Sequence, residues 1–217
     1  MTTGFDLAGN VIEVHGERGN NTGQHRPPGG VVRAYRSLPA ASFVLAYAAV
    51  EPLVVKATKH HGIRNSKGVP LGPGAADLVD AWASTVGHNL KARARVVPQA
   101  GATTGRHRWQ VLEGDNLRDY LTDAVRVRNL LVHTGDISGA KLCSAWFESP
   151  AKRLSSMTLM LAEGWLQAAQ DIAYQMLGSM TPEPPERTNW RWVLPRRSSV
   201  SDLTKKLAYD PAFPLPI

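Results

Sequence analysis

Phe43, Tyr47, Val50, Val54 and Ala57 recur at alternating spacings of four and three, so a helix across them carries one apolar face. Three later stretches show the same period, and this constrains the fold more than any other property of the chain. The first helix is expected from about Pro39 to His60, with Gly62 as its stop. Pro52 falls inside it, removes one backbone donor and should kink it. The second is expected from about Ala75 to Arg95, after the breakers Pro70, Gly72, Pro73 and Gly74, with Leu78, Trp82, Val86 and Leu90 as its stripe. The third covers about Asn116 to His133, with Asp115 as N-cap and Gly135 as stop. The fourth starts with Ser149 as N-cap and Pro150 at the first helical position, and ends at Gly178. Its inner face reads Leu154, Met157, Leu161, Trp165, Ala168 and Ile172. Four such helices without strand–helix alternation point to an all-α, up-and-down four-helix bundle.

The connection from Val96 to Leu112 is long for a bundle. Arg106-His107-Arg108-Trp109-Gln110-Val111 alternates with period two, which allows a small hairpin there. Residues 1–33 are rich in Gly, Asn, Arg and Pro and read as a flexible lead-in to a domain over 34–179. Residues 180–217 form a Pro-rich tail in which Trp190 and Trp192 are candidate anchors, against the bundle or against a partner.

The net charge of +7 favours polyanionic partners such as nucleic acid or an anionic membrane. Lys91, Arg93, Arg95, Arg106, His107 and Arg108, with Trp109 beside them, make a basic and aromatic cluster that suits RNA backbone and bases and equally fits a charged, solvated loop. The lone Cys143 excludes an internal disulfide and a Cys-rich zinc site, and a reducing compartment fits. Lys59-His60-His61 has no third ligand at metal spacing and reads as a solvated helix end. The expectation is a chain without metal or cofactor. No targeting segment stands out, and the apolar run from Ala40 to Ala49 is short for a bilayer, so the expected location is cytoplasmic, away from membranes.

The third helix holds the anomaly. Its stripe runs Leu117, Leu121, Ala124, then Arg128, then Leu131, and a guanidinium at an apolar position is costly unless paired or lining a cleft. His133 follows in the last turn, with Asn129 one turn before it. Arg18 with His25 fits a similar spacing but lies in a Gly-rich segment, and Arg126 with His133 lacks both the stripe position and the following Asn.

Arg128-Asn129-Leu130-Leu131-Val132-His133 resembles the signature of HEPN domains, an Arg followed after four to six residues by a His, near the end of a helix in a helical bundle. The resemblance covers roughly Ser37 to Gly178, with Thr134 where some branches carry Tyr. It implies a metal-independent endoribonuclease that works as a homodimer, with motif helices face to face around one scissile phosphate. On that basis Arg128 contacts the phosphate, His133 does acid–base work and Asn129 orients the His or the ribose. Arg126, Arg106, Arg108 and Trp109 are the further RNA contacts expected, and Glu51 is a candidate partner that holds Arg128. Bacterial members of the family often act as toxins or in phage defence, which adds an antitoxin to the implied partners. Two alternatives stand beside this reading. One is a non-catalytic HEPN-like module that binds RNA, a nucleotide or a protein. The other is a helical interaction domain in which His133 caps the helix and Arg128 sits in a structural ion pair.

Overall fold

A computed structural model describes residues 37–63, 75–96, 108–138, 140–143, 146 and 156–182. The described part is mostly helical, with four helices and one two-stranded sheet. In chain order the elements are α1 (Leu38–His60), α2 (Ala75–Val86), β1 (Lys91–Val96), β2 (Arg108–Glu113), α3 (Gly114–His133) and α4 (Leu159–Met180). The expected lead-in and the Trp190/Trp192 tail lie outside the described residues.

Helix α1 forms where its apolar period predicts, with Phe43, Tyr47, Val50, Val54 and Ala57 buried and Pro52 on the exposed side. By length and composition, with a hydropathy of 1.7, it could cross a bilayer, a longer apolar stretch than residues 40–49 alone. In the fold the buried face of this helix packs on α4 and α3, while Val55 stays exposed. Trp165 of α4 stacks on Phe43 at 5.2 Å and on Tyr47 at 5.8 Å. At the other end His61 meets Ser179, so the neighbours α1 and α4 run in the same direction. A simple up-and-down alternation of four helices would set such neighbours antiparallel. Helix α3 runs opposite to α1, with Arg128 over Tyr47 and the later Leu131 and Gly135 beside Ser37 and Ala40. Tyr120 stacks on Trp146 at 4.6 Å, which completes an aromatic core shared by α1, α3 and α4.

The second helix is shorter than its apolar period implies. It stops at Val86 because Gly87 takes φ +83°, a left-handed conformation open to glycine. Residues 91–96, expected to be helical, form β1 and pair antiparallel with β2 from Lys91↔Glu113 to Val96↔Arg108. The hairpin allowed from Arg106 to Val111 is therefore real at Arg108–Glu113, but its partner strand comes from the expected second helix. Strand β2 then passes straight into α3, with Glu113 as N-cap and Asp115 inside the first turn, ion-paired to Arg118, rather than capping.

Helix α4 begins at Leu159, ten residues after the expected cap at Ser149. Thr158 is the N-cap, its hydroxyl accepting from the Leu161 N–H at 3.3 Å. Ser149 and Pro150 lie outside the described residues.

The polar side of α4, which the sequence pattern would leave to solvent, is buried against β1. Gln175 accepts from the Lys91 N–H and donates to the Lys91 carbonyl. Asp171 Oδ2 accepts from the Arg93 N–H at 2.9 Å and from its Nε, while Oδ1 accepts from Nη2 of the same guanidinium and from the Gln167 amide. Arg95 donates to Glu163 at 2.7 Å. Side chains four residues apart on one helix thus satisfy the strand edge that β2 leaves open, as a buried edge requires.

The helix lies so close to β1 that Gly164 has no room for a side chain. A Cβ there would sit 2.7 Å from the Arg95 backbone nitrogen and 2.9 Å from its Cβ. Gly164→Ala should therefore force helix and strand apart and lower stability by about 1–3 kcal/mol in chemical denaturation. An unchanged unfolding midpoint would contradict this packing.

Candidate functional site

The core stripe of α3 consists of Leu117, Tyr120, Leu121, Ala124 and Val127. Arg128 therefore stands at the rim of the core, half-buried, where the stripe pattern had placed it on the core face. Its guanidinium lies 5.5 Å from the centroid of the Tyr47 ring, a cation–π arrangement, and donates to the Asn129 side-chain oxygen at 2.8 Å. The Tyr47 ring is fixed in turn by Trp165. Burial, and secondarily Glu51, raises the Tyr47 hydroxyl above its ordinary pKa, while Arg128 pulls the other way. The phenol stays neutral and serves as a platform for the cation.

Glu51 does not hold Arg128: among the described residues no carboxylate lies within ion-pair distance of it. The expected pair fails because the guanidinium lies over the Tyr47 face, one turn nearer the start of α1 than Glu51. The ring and the Asn129 oxygen orient the planar fork and leave its other donors without a protein partner among the described residues.

His133 is exposed in the last turn of α3 and has no hydrogen-bond or ionic partner among the described residues. The cap is supplied by the residues after it. The Thr134 N–H bonds the Leu130 carbonyl, and Gly135 turns the chain at φ +68°. Asn129 makes no hydrogen bond to His133; its oxygen accepts from Arg128 instead. Nor do Arg128 and His133 touch. Five residues of α-helix turn about 140°, which sets the two side chains on different sides of α3.

The remaining expected contacts divide. Arg126 is exposed and pairs at 3.0 Å with the buried Asp123, whose other oxygen accepts from the Cys143 N–H. Arg106 lies outside the described residues. Arg108 and Trp109 are placed at the start of β2, opposite Val96 and Arg95, by backbone register alone. The basic cluster expected around the connection is corrected by burial. Arg93 and Arg95 are inside the protein, paired with Asp171 and Glu163, and cannot meet a nucleic-acid backbone. Lys91 pairs with Glu113 at 3.1 Å.

Sequence reasoning missed the loop after His133. Asp136 accepts from both the N–H and the hydroxyl of Ser138, at 2.9 and 2.7 Å. Together with Ser37, Ala40, Leu131, Gly135, Ile137, Ser156 and Met157 it lines a cleft of about 640 Å³ beside the end of α3. The signal present in the sequence was the run Thr134-Gly135-Asp136-Ile137-Ser138, polar turn residues around one apolar anchor.

At the opposite end, His60 and His61 are not simply a solvated helix terminus. The Ser179 hydroxyl donates to the Met176 carbonyl and is left to accept from His61 Nε2 at 3.0 Å, while the His61 ring packs edge-on to Trp82 at 5.3 Å. No group of three or more His, Cys, Asp or Glu is placed to hold a metal among the described residues. Burial lowers the His61 pKa from the ordinary 6.5, helped by His60 and His88. The unfolded chain therefore binds the proton more readily than the folded one. The His61 contribution to stability should fall as pH drops below 6.5 and level off once the lower folded pKa is passed. His61→Gln should flatten that part of a stability–pH curve, and a curve identical to wild type would contradict the assignment.

Comparison of the chain with protein-family models, with curated proteins and with solved structures finds no match.

Proposed function

We propose that the chain is a metal-independent endoribonuclease of the HEPN type, in a HEPN-like helical bundle, with Arg128 and His133 as its chemical groups. The observation that carries this is the state of Arg128. Its fork is oriented by the Tyr47 ring and the Asn129 oxygen and is not consumed by Glu51 or another described carboxylate. A guanidinium so oriented, with no carboxylate partner among the described residues, is suited to phosphate oxygens, whereas the ion-pair alternative required it to be paired. His133 stands exposed in the last turn of α3, where its ring is open to a substrate.

In the reaction a base removes the proton of the ribose 2′-hydroxyl, whose oxygen attacks the adjacent phosphorus. The 5′-oxygen leaves with a proton from an acid, and a 2′,3′-cyclic phosphate remains. Arg128 stabilises the charge that develops on the non-bridging oxygens. One His per chain supplies either the base or the acid, and the angle between Arg128 and His133 keeps both off one phosphate. A two-fold pair of chains with facing α3 helices supplies two of each, so the working form in this reading is a homodimer. A cytoplasmic setting and a cognate antitoxin belong to the same reading as proposals.

That same angle favours a second reading, a non-catalytic module in which Arg128 binds the phosphate of an RNA or nucleotide. Incubation of RNA with the protein in EDTA separates the two. Fragments ending in 2′,3′-cyclic phosphate are expected, whereas binding without cleavage leaves the module and removes the enzyme.

A further inference from the structure

From the bond between two neighbouring side chains on α3 we infer that Asn129 is a second phosphate ligand, an assignment that rests on the phosphate-binding role proposed for Arg128 and deepens it. Side chains one residue apart on a helix point about 100° away from each other. Arg128 Nη1 nevertheless donates to Asn129 Oδ1 at 2.8 Å, while the guanidinium carbon stays 5.5 Å from the Tyr47 centroid. The fork is thus held between the aromatic rim of the core and the exposed side of α3 on which Asn129 stands.

Two properties of an amide matter at this place. It is neutral, so it orients the fork without cancelling its charge. A carboxylate there would form an ion pair and compete with the phosphate. An amide also carries an acceptor and a donor on one plane. A guanidinium only donates, so the Asn129 atom that meets Arg128 is the oxygen, and this fixes which way the amide is turned. Nδ2 then stands beside the fork, with two N–H groups and no acceptor among the described residues. Arg128 and Asn129 together present adjacent donors around one uncancelled positive charge. That combination suits the two non-bridging oxygens of one phosphodiester, one taken by the fork and the other by the amide. A base edge fits less well, since Asn reads adenine with its oxygen and amino group together, and this oxygen is already engaged.

The test uses the full chain, with a 2′-deoxy single strand, which lacks the attacking hydroxyl, to read binding and RNA in EDTA to read cleavage. Asn129→Ala should weaken binding of the 2′-deoxy strand about tenfold and lower cleavage at least as much, as losing a hydrogen bond to a charged group does. Asn129→Asp has nearly the same shape but pairs its carboxylate with the guanidinium. It should lose more than Asn129→Ala and approach Arg128→Ala. Asn129 is exposed and Ala is the better helix former, so Asn129→Ala should unfold no earlier than wild type. The pH dependence of its residual cleavage should keep the wild-type midpoints, since the amide serves Arg128 and not His133. Wild-type binding by Asn129→Ala, a loss in Asn129→Asp no greater than in Asn129→Ala, or a shifted pH profile with binding intact overturns the assignment. Binding that falls from wild type through Asn129→Ala to Asn129→Asp, with RNA left intact, keeps the assignment and removes the nuclease. Wild-type cleavage that both variants reproduce removes the assignment while the nuclease stands. A wild-type chain that binds neither strand removes both.

Discussion

Asp171→Ala should destabilise the protein by about 3–5 kcal/mol, read as a fall in the urea midpoint with an unchanged slope. Both members of this pair are buried, Arg93 at 3% and Asp171 at 0% exposure, so deleting the carboxylate takes a two-point anionic partner from a guanidinium inside the protein. The same deletion removes the acceptor of the Arg93 N–H and of the Gln167 amide. The cost arises mainly from the charge left behind, so removing both charges should cost less than removing one. Arg93→Met combined with Asp171→Leu should recover a substantial part of the loss, although the strand N–H stays without its partner. A double variant as unstable as Asp171→Ala would mean that the backbone contact, not the charge, dominates.

The second large effect concerns activity. Arg128→Ala should lower RNA cleavage by about 10²–10³-fold, the usual loss on removing one preorganised donor to transition-state charge. His133→Ala should lower it by about 10²–10⁴-fold, as loss of an acid–base group does. Arg128→Lys keeps the charge and loses the fork and much of its fit over Tyr47, so it should recover only part of the rate. Both side chains lie outside the core, and neither alanine variant should move the unfolding midpoint by more than about 1 kcal/mol equivalent. The catalytic and structural losses are thereby separable.

The apolar period made the helices legible in different degrees, α1 and α3 nearly in full, α2 over its first part and α4 from Leu159 onward, because each buries one face and shows it in sequence. The errors share one cause. Lys91-Ala-Arg-Ala-Arg-Val contains good helix formers and continues the stripe through Leu90, yet it is a strand, since α4 offers it polar partners that no local pattern displays. The warning signs were the Gly87-His88-Asn89 turn, the period-two alternation after it, and Glu163, Gln167, Asp171 and Gln175 spaced by four. Those four read as the wet side of an amphipathic helix, because burial of a polar side depends on a strand more than sixty residues earlier in the chain. The same misreading turned Arg93 and Arg95 into surface contacts. At the candidate site the motif residues were legible and their arrangement was not. The sequence placed Arg128 among core residues and paired it with Glu51, whereas a ring from α1 holds it at the rim. The Asp136 cleft depends on a turn that brings distant segments together and left only a polar loop to read.

The central claim is that Arg128 and His133 cleave RNA without a metal. Its most direct test compares wild type, Arg128→Ala and His133→Ala, matched in unfolding midpoint, on one labelled RNA in EDTA. Cleavage to 2′,3′-cyclic phosphate ends by the wild type, with at least about a hundredfold loss in each variant, is the predicted result. Intact RNA with all three proteins, or equal cleavage by all three, would contradict it.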